Sequence, residues 1–369
     1  MRPAHIRIYP DARLPFDILA CVNAPPLATP SSDDRPIWDI WLSSLWLPSI
    51  TVAVELGLFE ALRESPATSE ELARRLELNP RGTRLLLQLL VSLGALVLHD
   101  GSFQLAPLAR NYLLSDSPFF WGHVWSLSID LSPIHAKLRD MLLTKPRAPT
   151  ANAPSSPEEP VAAWESGQID LERAGRIARF MNSHSMAAAV GLARASSFES
   201  ANRLLDVGGG SGCFSIALAQ RNPQLRCTVM DLPAMCRWAQ DYIDAAGVRD
   251  RVDTRGIDMF REDWPRGYDA IFFSNIFHDW SFETCAKLAA SAYAALLEAG
   301  RVYLHEMLLD DTGTAPRTAA AFSVLMLIGT RGQQFRFVEL QRMLENAGFV
   351  DVTVTPAHGY YSLVSARKR

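Results

Sequence analysis

The feature that most constrains this chain is Leu204-Leu205-Asp206-Val207-Gly208-Gly209-Gly210-Ser211-Gly212-Cys213-Phe214-Ser215-Ile216-Ala217. A short apolar run ends in a carboxylate, breaks into glycines, and resumes with helix-period apolar positions at Phe214, Ala217 and Leu218. The pattern predicts strand, tight turn, helix. Glycine tolerates positive φ and carries no Cβ, so the turn reads as a small-molecule cradle at the end of a parallel strand. The dinucleotide spacing G-x-G-x-x-G/A does not fit, because its third glycine would fall on Cys213 or on Ser215. Asp206, just before the turn, can accept from an ammonium or from turn amides, whereas a pyrophosphate would be repelled there. A second strand, Arg226 to Met230, ends in Asp231, a suitable distance on to hold a ribose diol. The set suits a nucleoside that bears an amino acid. A purely structural turn is the competing reading, but it leaves the stability cost of the glycines without a use.

A chain of 369 residues is long enough for two domains, each with its own core. A hydrophobic content of 48% with 21% charged residues fits a soluble globular protein. The net charge of -4 offers no general attraction to nucleic acid or to an anionic membrane. Cys21, Cys213, Cys227, Cys236 and Cys285 stand singly, with no C-x-x-C spacing. They read as reduced residues of a cytoplasmic protein, with no metal site. No run reaches the roughly 18 apolar residues that a membrane-spanning helix needs. Residues 1–36 read as a flexible N-terminal extension, rich in proline and serine towards its end.

From Ile37 to Phe59 apolar residues are dense, with Trp38, Trp41, Leu45 and Trp46 at helical spacing and Pro48 expected to kink or restart the helix. Such a segment must be buried, in the chain's own core or against a second copy. Thr68-Ser69-Glu70-Glu71 opens a helix with an N-cap, Asn79-Pro80 opens another that runs to Leu93, and a strand pair follows between Gly94 and Leu105. This is a winged-helix plan. Residues 60–112, however, carry six Lys/Arg against six Asp/Glu, without the net basic face that DNA binding requires. Lys145 to Pro160 is a proline-rich loop, and a long helix from Leu171 to Ala195 leads into the glycine turn. Beyond Gly212 strands and helices alternate as in a doubly wound parallel sheet. Ala270 to Phe273 delivers His278-Asp279-Trp280, and Val302 to His305 delivers Glu306, past strand ends where open α/β sheets place their chemistry.

Asp206-Val-Gly-Gly-Gly-Ser-Gly, Asp231-Leu232-Pro233, Asp258-Met259-Phe260, His278-Asp279-Trp280 and Glu306, in this order, resemble the motifs of S-adenosylmethionine-dependent small-molecule O-methyltransferases of the caffeate and hydroxyindole type. The resemblance runs from about Trp38 to the C-terminus. It implies an α/β class I methyltransferase domain, residues 199–369, and a mainly helical winged-helix-like domain, residues 37–198, that makes a homodimer and lines the acceptor site. It also implies S-adenosyl-L-methionine as cofactor, held by Asp206, Gly208, Gly210, Asp231, Leu232, Asp258, Met259, Ser274 and Ser185. A small-molecule acceptor would then lie among Trp125, Phe180, Met181, Phe322 and Gln334.

Methyl transfer from a sulfonium needs alignment and removal of the acceptor's proton. A histidine, largely neutral at pH 7, suits the second task. By the resemblance His278 is the base, Glu306 fixes its tautomer, and Asp279 assists or caps the next helix. Two positions depart from the family pattern. Gln334 stands where a second carboxylate flanks the histidine, and Ser274 stands where a lysine is frequent. Adjacent His305 and Glu306 point to opposite faces of a strand and so cannot share a metal with His278. The expected acceptor is a flat aromatic hydroxyl compound. C-methylation of an activated ring, or a non-methylating use of the cofactor, remains the alternative.

Overall fold

The computed structural model describes residues 31–117, 120–121, 133–144, 162–194, 198 and 200–369. The expected helix at the start of this region forms in two pieces. Arg35–Leu42 and Trp46–Glu55 are α-helical, joined by a 3₁₀ turn over Ser43–Leu45. The break falls ahead of Pro48, which sits in the first turn of the second piece, where its missing N–H costs no intrahelical bond. By length and hydropathy alone the run Arg35–Glu55 could cross a membrane, contrary to the expectation from the sequence. In the fold, Trp38, Leu42, Leu45, Val52 and Ala53 are buried in the main core.

Thr68 caps Ser69–Arg75 in a full capping box: its hydroxyl accepts from Glu71 N at 3.2 Å, and the Glu71 carboxylate accepts from Thr68 N at 2.9 Å. The Asn79 side chain caps Pro80–Ser92. Strands β1 (Leu96–His99) and β2 (Ser102–Leu105) pair antiparallel as the wing. The would-be recognition helix is not presented to solvent: Leu85, Leu86, Leu87, Leu89 and Leu90 are fully buried. It packs on the helix Arg317–Gly329, and Gly82 allows the close approach, since a Cβ there would lie 2.9 Å from Leu142 Cδ2 and 3.4 Å from Leu327 Cδ2.

The large sheet contains β3 (Arg203–Val207), β4 (Arg226–Asp231), β5 (Val252–Gly256), β6 (Tyr268–Ser274), β7 (Leu296–Met307), β8 (Val350–Pro356) and β9 (Tyr361–Arg367), in the order β5-β4-β3-β6-β7-β9-β8. The first five strands are parallel, and β9 joins β7 and β8 antiparallel. Side chains alternate between two cores as a pleated strand requires. Phe272 and Tyr303 belong to one, Ile271, Phe273, Val302 and Leu304 to the other. The strand order reverses at β3, where α/β sheets open a crevice for ligands. The long helix, Leu171–Ala193, covers one face and packs Ala174 and Ala178 against Met235 and Tyr242.

Candidate active site

The glycine turn forms as expected. β3 ends at Val207, and Gly208, Gly210 and Gly212 take φ of 68°, 58° and 75°, the left-handed region that a β-carbon disfavours. At Gly210 an added Cβ would point into open space, so the backbone there faces a cavity. Asp231 ties this turn to the end of β4: one carboxylate oxygen accepts from Gly210 N at 2.9 Å, the other from Leu232 N at 2.7 Å. Each oxygen keeps acceptor capacity beyond that contact, and the residue lines the cavity. Asp206 is buried and accepts from Ser215 Oγ at 2.7 Å. Burial pushes the Asp206 carboxyl up to about 7 and that of Asp231 up to about 6. Both groups therefore gain from a ligand that supplies a cation or donors.

The cavity measures about 280 Å³ and contains every residue assigned to the cofactor from the sequence: Ser185, Asp206, Gly208, Gly210, Asp231, Leu232, Asp258, Met259 and Ser274 all line it. Met181 and Asp279 line it too. Two polar groups that sequence reasoning passed over also do so. The buried Ser211 hydroxyl and the buried Asn275 carbonyl oxygen have no hydrogen-bond partner among the described residues. Asn275 has φ of 56°, and the only prior signal was an asparagine following a strand, the type that tolerates this conformation. A carboxylate for donors, a glycine turn open to the cavity and orphaned polar atoms in one apolar crevice fit an amino-acid-bearing nucleoside. Ser274 is less free than expected, because its hydroxyl is 2.9 Å from His305 Nδ1.

His278 occupies a 3₁₀ turn just past β6 and does not itself line the cavity, whereas its neighbour Asp279 does. Glu306, near the end of β7, accepts from the backbone N–H groups of Ile276 and Phe277 at 3.1 and 3.0 Å through one oxygen, which holds that turn in place. Its other oxygen lies 3.0 Å from His278 Nδ1. Gln334 Nε2 lies 3.2 Å from the same atom. The two neighbours favour opposite tautomers. Among the described residues only the Gln334 amide meets Nδ1 in hydrogen-bond geometry; the Glu306 oxygen meets the ring as a close charge contact that favours its protonated form. A half-turn of the Gln334 amide would bring its orphaned oxygen towards Nδ1, so that a proton there would have both the amide oxygen and the Glu306 carboxylate beside it. Nε2 then carries the lone pair, 3.7 Å from Asp279 Oδ1. Burial alone would lower the pKa of His278, but the charges of Glu306 and Asp279 outweigh it and raise the pKa. The Asp279 carboxyl is pushed up to about 6 by burial. Asp279 does not cap the next helix; Ser281 does, accepting from Thr284 N.

His305 turns away from Glu306, as the strand period requires. It stacks on Tyr361 with ring centroids 4.5 Å apart, and burial pushes its pKa down to about 3. Phe322 lies 5.0 Å from the His278 ring and 5.7 Å from Trp38. His184 sits 5.1 Å from Phe180 and is edge-on to Trp38, its pKa lowered to about 4 by burial and then by His278. Phe180, Phe322 and Gln334 are not part of the cofactor cavity; they belong to the aromatic side that joins His278 to the N-terminal helices. Trp125 lies outside the described residues.

The model of the O-methyltransferase domain family matches residues 157–350, and that of the O-methyltransferase dimerisation domain matches residues 38–115. The chain is 33% identical to a 3-hydroxy-5-methyl-1-naphthoate 3-O-methyltransferase of Streptomyces sahachiroi, over 84% of this chain and 88% of that protein. It is 30% identical to the tetracenomycin polyketide synthesis 8-O-methyl transferase TcmO of Streptomyces glaucescens, over 86% and 91%. Among solved structures, an O-methyltransferase family 2 protein from Planctomyces limnophilus in complex with apigenin superposes with a TM-score of 0.80 at 28% identity, covering 93% of this chain and 98% of that one.

Proposed function

Because this chain belongs to the S-adenosylmethionine-dependent O-methyltransferases, we propose that it methylates a phenolic hydroxyl of a flat aromatic or polyketide-type molecule, with His278 removing the proton. The cofactor supplies an electrophilic methyl carbon when bound. The Asp231 carboxylate and the glycine turn hold its nucleoside end, and Asp206 with Asn275 and Ser211 faces its amino-acid end. His278 Nε2 takes the acceptor's proton while Glu306 steadies the resulting imidazolium through Nδ1. The observation that carries this reading is the contact of 3.0 Å between Glu306 and His278 Nδ1 beside the cofactor cavity. Relatives named for naphthoate and polyketide acceptors support the aromatic class, as do Phe322, Trp38, Trp41 and Phe180 on the histidine's side. The reaction is tested by incubating a phenolic metabolite pool with the enzyme and methyl-labelled cofactor. Mass spectrometry should find a gain of one labelled methyl on oxygen. A label on ring carbon, or unlabelled but altered product, would replace this reading.

The protein acts as a homodimer built on its dimerisation domain. The helical run Arg35–Glu55 leaves Ile37 64%, Ile40 68% and Leu47 43% exposed beside buried Trp38 and Leu42, an apolar stripe that a second copy would cover. Interfaces of this obligate type bury on the order of 2,000 Å² or more. Light scattering at micromolar concentration should give twice the chain mass, and a monomer there refutes the dimer.

A further inference from the structure

The helix Pro80–Ser92 carries two arginines whose use is not explained by a winged-helix plan. Arg81 donates to the carbonyl of Gly332, and Arg84 donates to Gln333 Oε1 at 2.6 Å, each reaching about 250 residues along the chain into the methyltransferase domain. Both are largely buried, and burial lowers the pKa of each, to about 10 for Arg81. Placing two guanidinium groups here to meet neutral partners is costly unless they hold something in place. What they hold is the segment Thr330–Gln334. On its other side, Gly332 is packed so closely on the His278 carbonyl that a methyl group at this position would overlap it. Arg331 N donates to the Asp279 carbonyl at 3.0 Å. Gln334 N donates to Ser323 Oγ at 3.1 Å, and its side chain reaches His278 Nδ1. The segment is thus a thin layer with arginines from the dimerisation domain on one side and the His278–Asp279 turn on the other.

We propose that Arg81 and Arg84 are positioning residues for the proton-removing histidine, coupling the dimerisation domain to the geometry of His278; the catalytic part of this statement rests on the role proposed above for His278. The coupling works by confinement. Gly332 and Arg331 fix the backbone of the turn from outside while Glu306 fixes it from beneath, so the imidazole has one place to stand. If the arginines are removed the layer can lift and the base loses its alignment, while the glycine turn and Asp231, which the layer does not hold, keep the main polar contacts of the cofactor cradle.

Arg81→Met and Arg84→Met are compared with Arg84→Lys, and with Gln333→Ala, which deletes the partner of Arg84 without touching the helix and serves if an arginine variant does not fold. Hydrogen exchange, which needs no acceptor, should rise together in residues 330–335 and 276–280 in both Met variants, and less in Arg84→Lys. Calorimetry with S-adenosylhomocysteine should give an affinity within about twofold of wild type. Turnover of a phenolic acceptor should fall roughly 10- to 100-fold, the scale of a displacement near 1 Å, with most of it restored by lysine. Unchanged exchange at 330–335 and 276–280 in folded variants overturns the proposal, and so does equal loss of cofactor affinity and turnover. If the exchange result holds but the wild-type protein transfers no methyl to oxygen, the coupling stands and the reaction assignment falls.

Discussion

The two halves of the site are built in opposite ways. The cofactor half comes from short contiguous pieces: a strand, a glycine turn and a helix over 203–221, and the adjacent paired strand, which ends in Asp231. The base half is assembled from four distant segments: His278 past β6, Glu306 on β7, Gln334 after the helix Arg317–Gly329, and Arg81 with Arg84 from the N-terminal domain. Local backbone demands protect the first half, because few sequences satisfy three positive φ angles in five residues. The second half depends on packing between elements, so a change far along the chain can disturb it. Changes in the first half should therefore appear in affinity and changes in the second in turnover, and each prediction below is a place where that division can fail.

The largest effect is expected at the base. His278→Ala should lower turnover about 10²–10⁴-fold and leave cofactor affinity nearly unchanged, measured by single-turnover kinetics beside calorimetry. Turnover near wild type with a hydroxyl acceptor would leave alignment alone as the catalytic device.

Next comes Asp231→Ala. Loss of the diol contact should weaken cofactor binding by roughly 1.5–3 kcal/mol, the range for a hydrogen bond to a charged group. The same carboxylate accepts from Gly210 N, so the turn should also loosen. Wild-type affinity should itself fall with pH. Carboxyls raised to about 7 at Asp206 and about 6 at Asp231 bind protons as the pH drops from 8 to 5, and the acceptor or anion that a cationic ligand favours is lost, by at most about tenfold per unit for each group. A flat affinity over that interval would show that neither carboxylate faces the ligand's donors.

The smallest effect, and the sharpest one, concerns Gln334. Replacing the amide 3.2 Å from Nδ1 by glutamate adds a negative charge, favours the imidazolium and raises the pKa of His278 above its already raised value. The base form then appears only at higher pH, so the acidic limb of the pH–rate profile should move up by about one unit. No movement would mean that position 334 does not sense the ring's charge.

Much of this was legible without coordinates. The strand–turn–helix at 204–217, the capping box at Thr68 and the strands that lead to His278 and Glu306 follow from periodicity, turn chemistry and spacing, which act over a few residues. The interruption at Ser43–Leu45 instead of at Pro48 was not legible, because a proline is tolerated in a first turn and the site of a helix break depends on what the helix packs against. Nor could the sequence say that Asn275 would line the cavity with its carbonyl oxygen unpartnered, that His184 would join the aromatic cluster, or that the arginines of a would-be recognition helix would reach Gly332 and Gln333. The chain by itself determined the cofactor cradle and the face of the sheet on which the chemistry sits, since those are consequences of φ, ψ and strand alternation. Only the tertiary structure decided which groups surround His278. Gln334 is 56 residues from the histidine and Arg81 is 251 from its partner, and contacts at such separations are selected by how apolar faces close over one another, not by any local preference of the residues that meet.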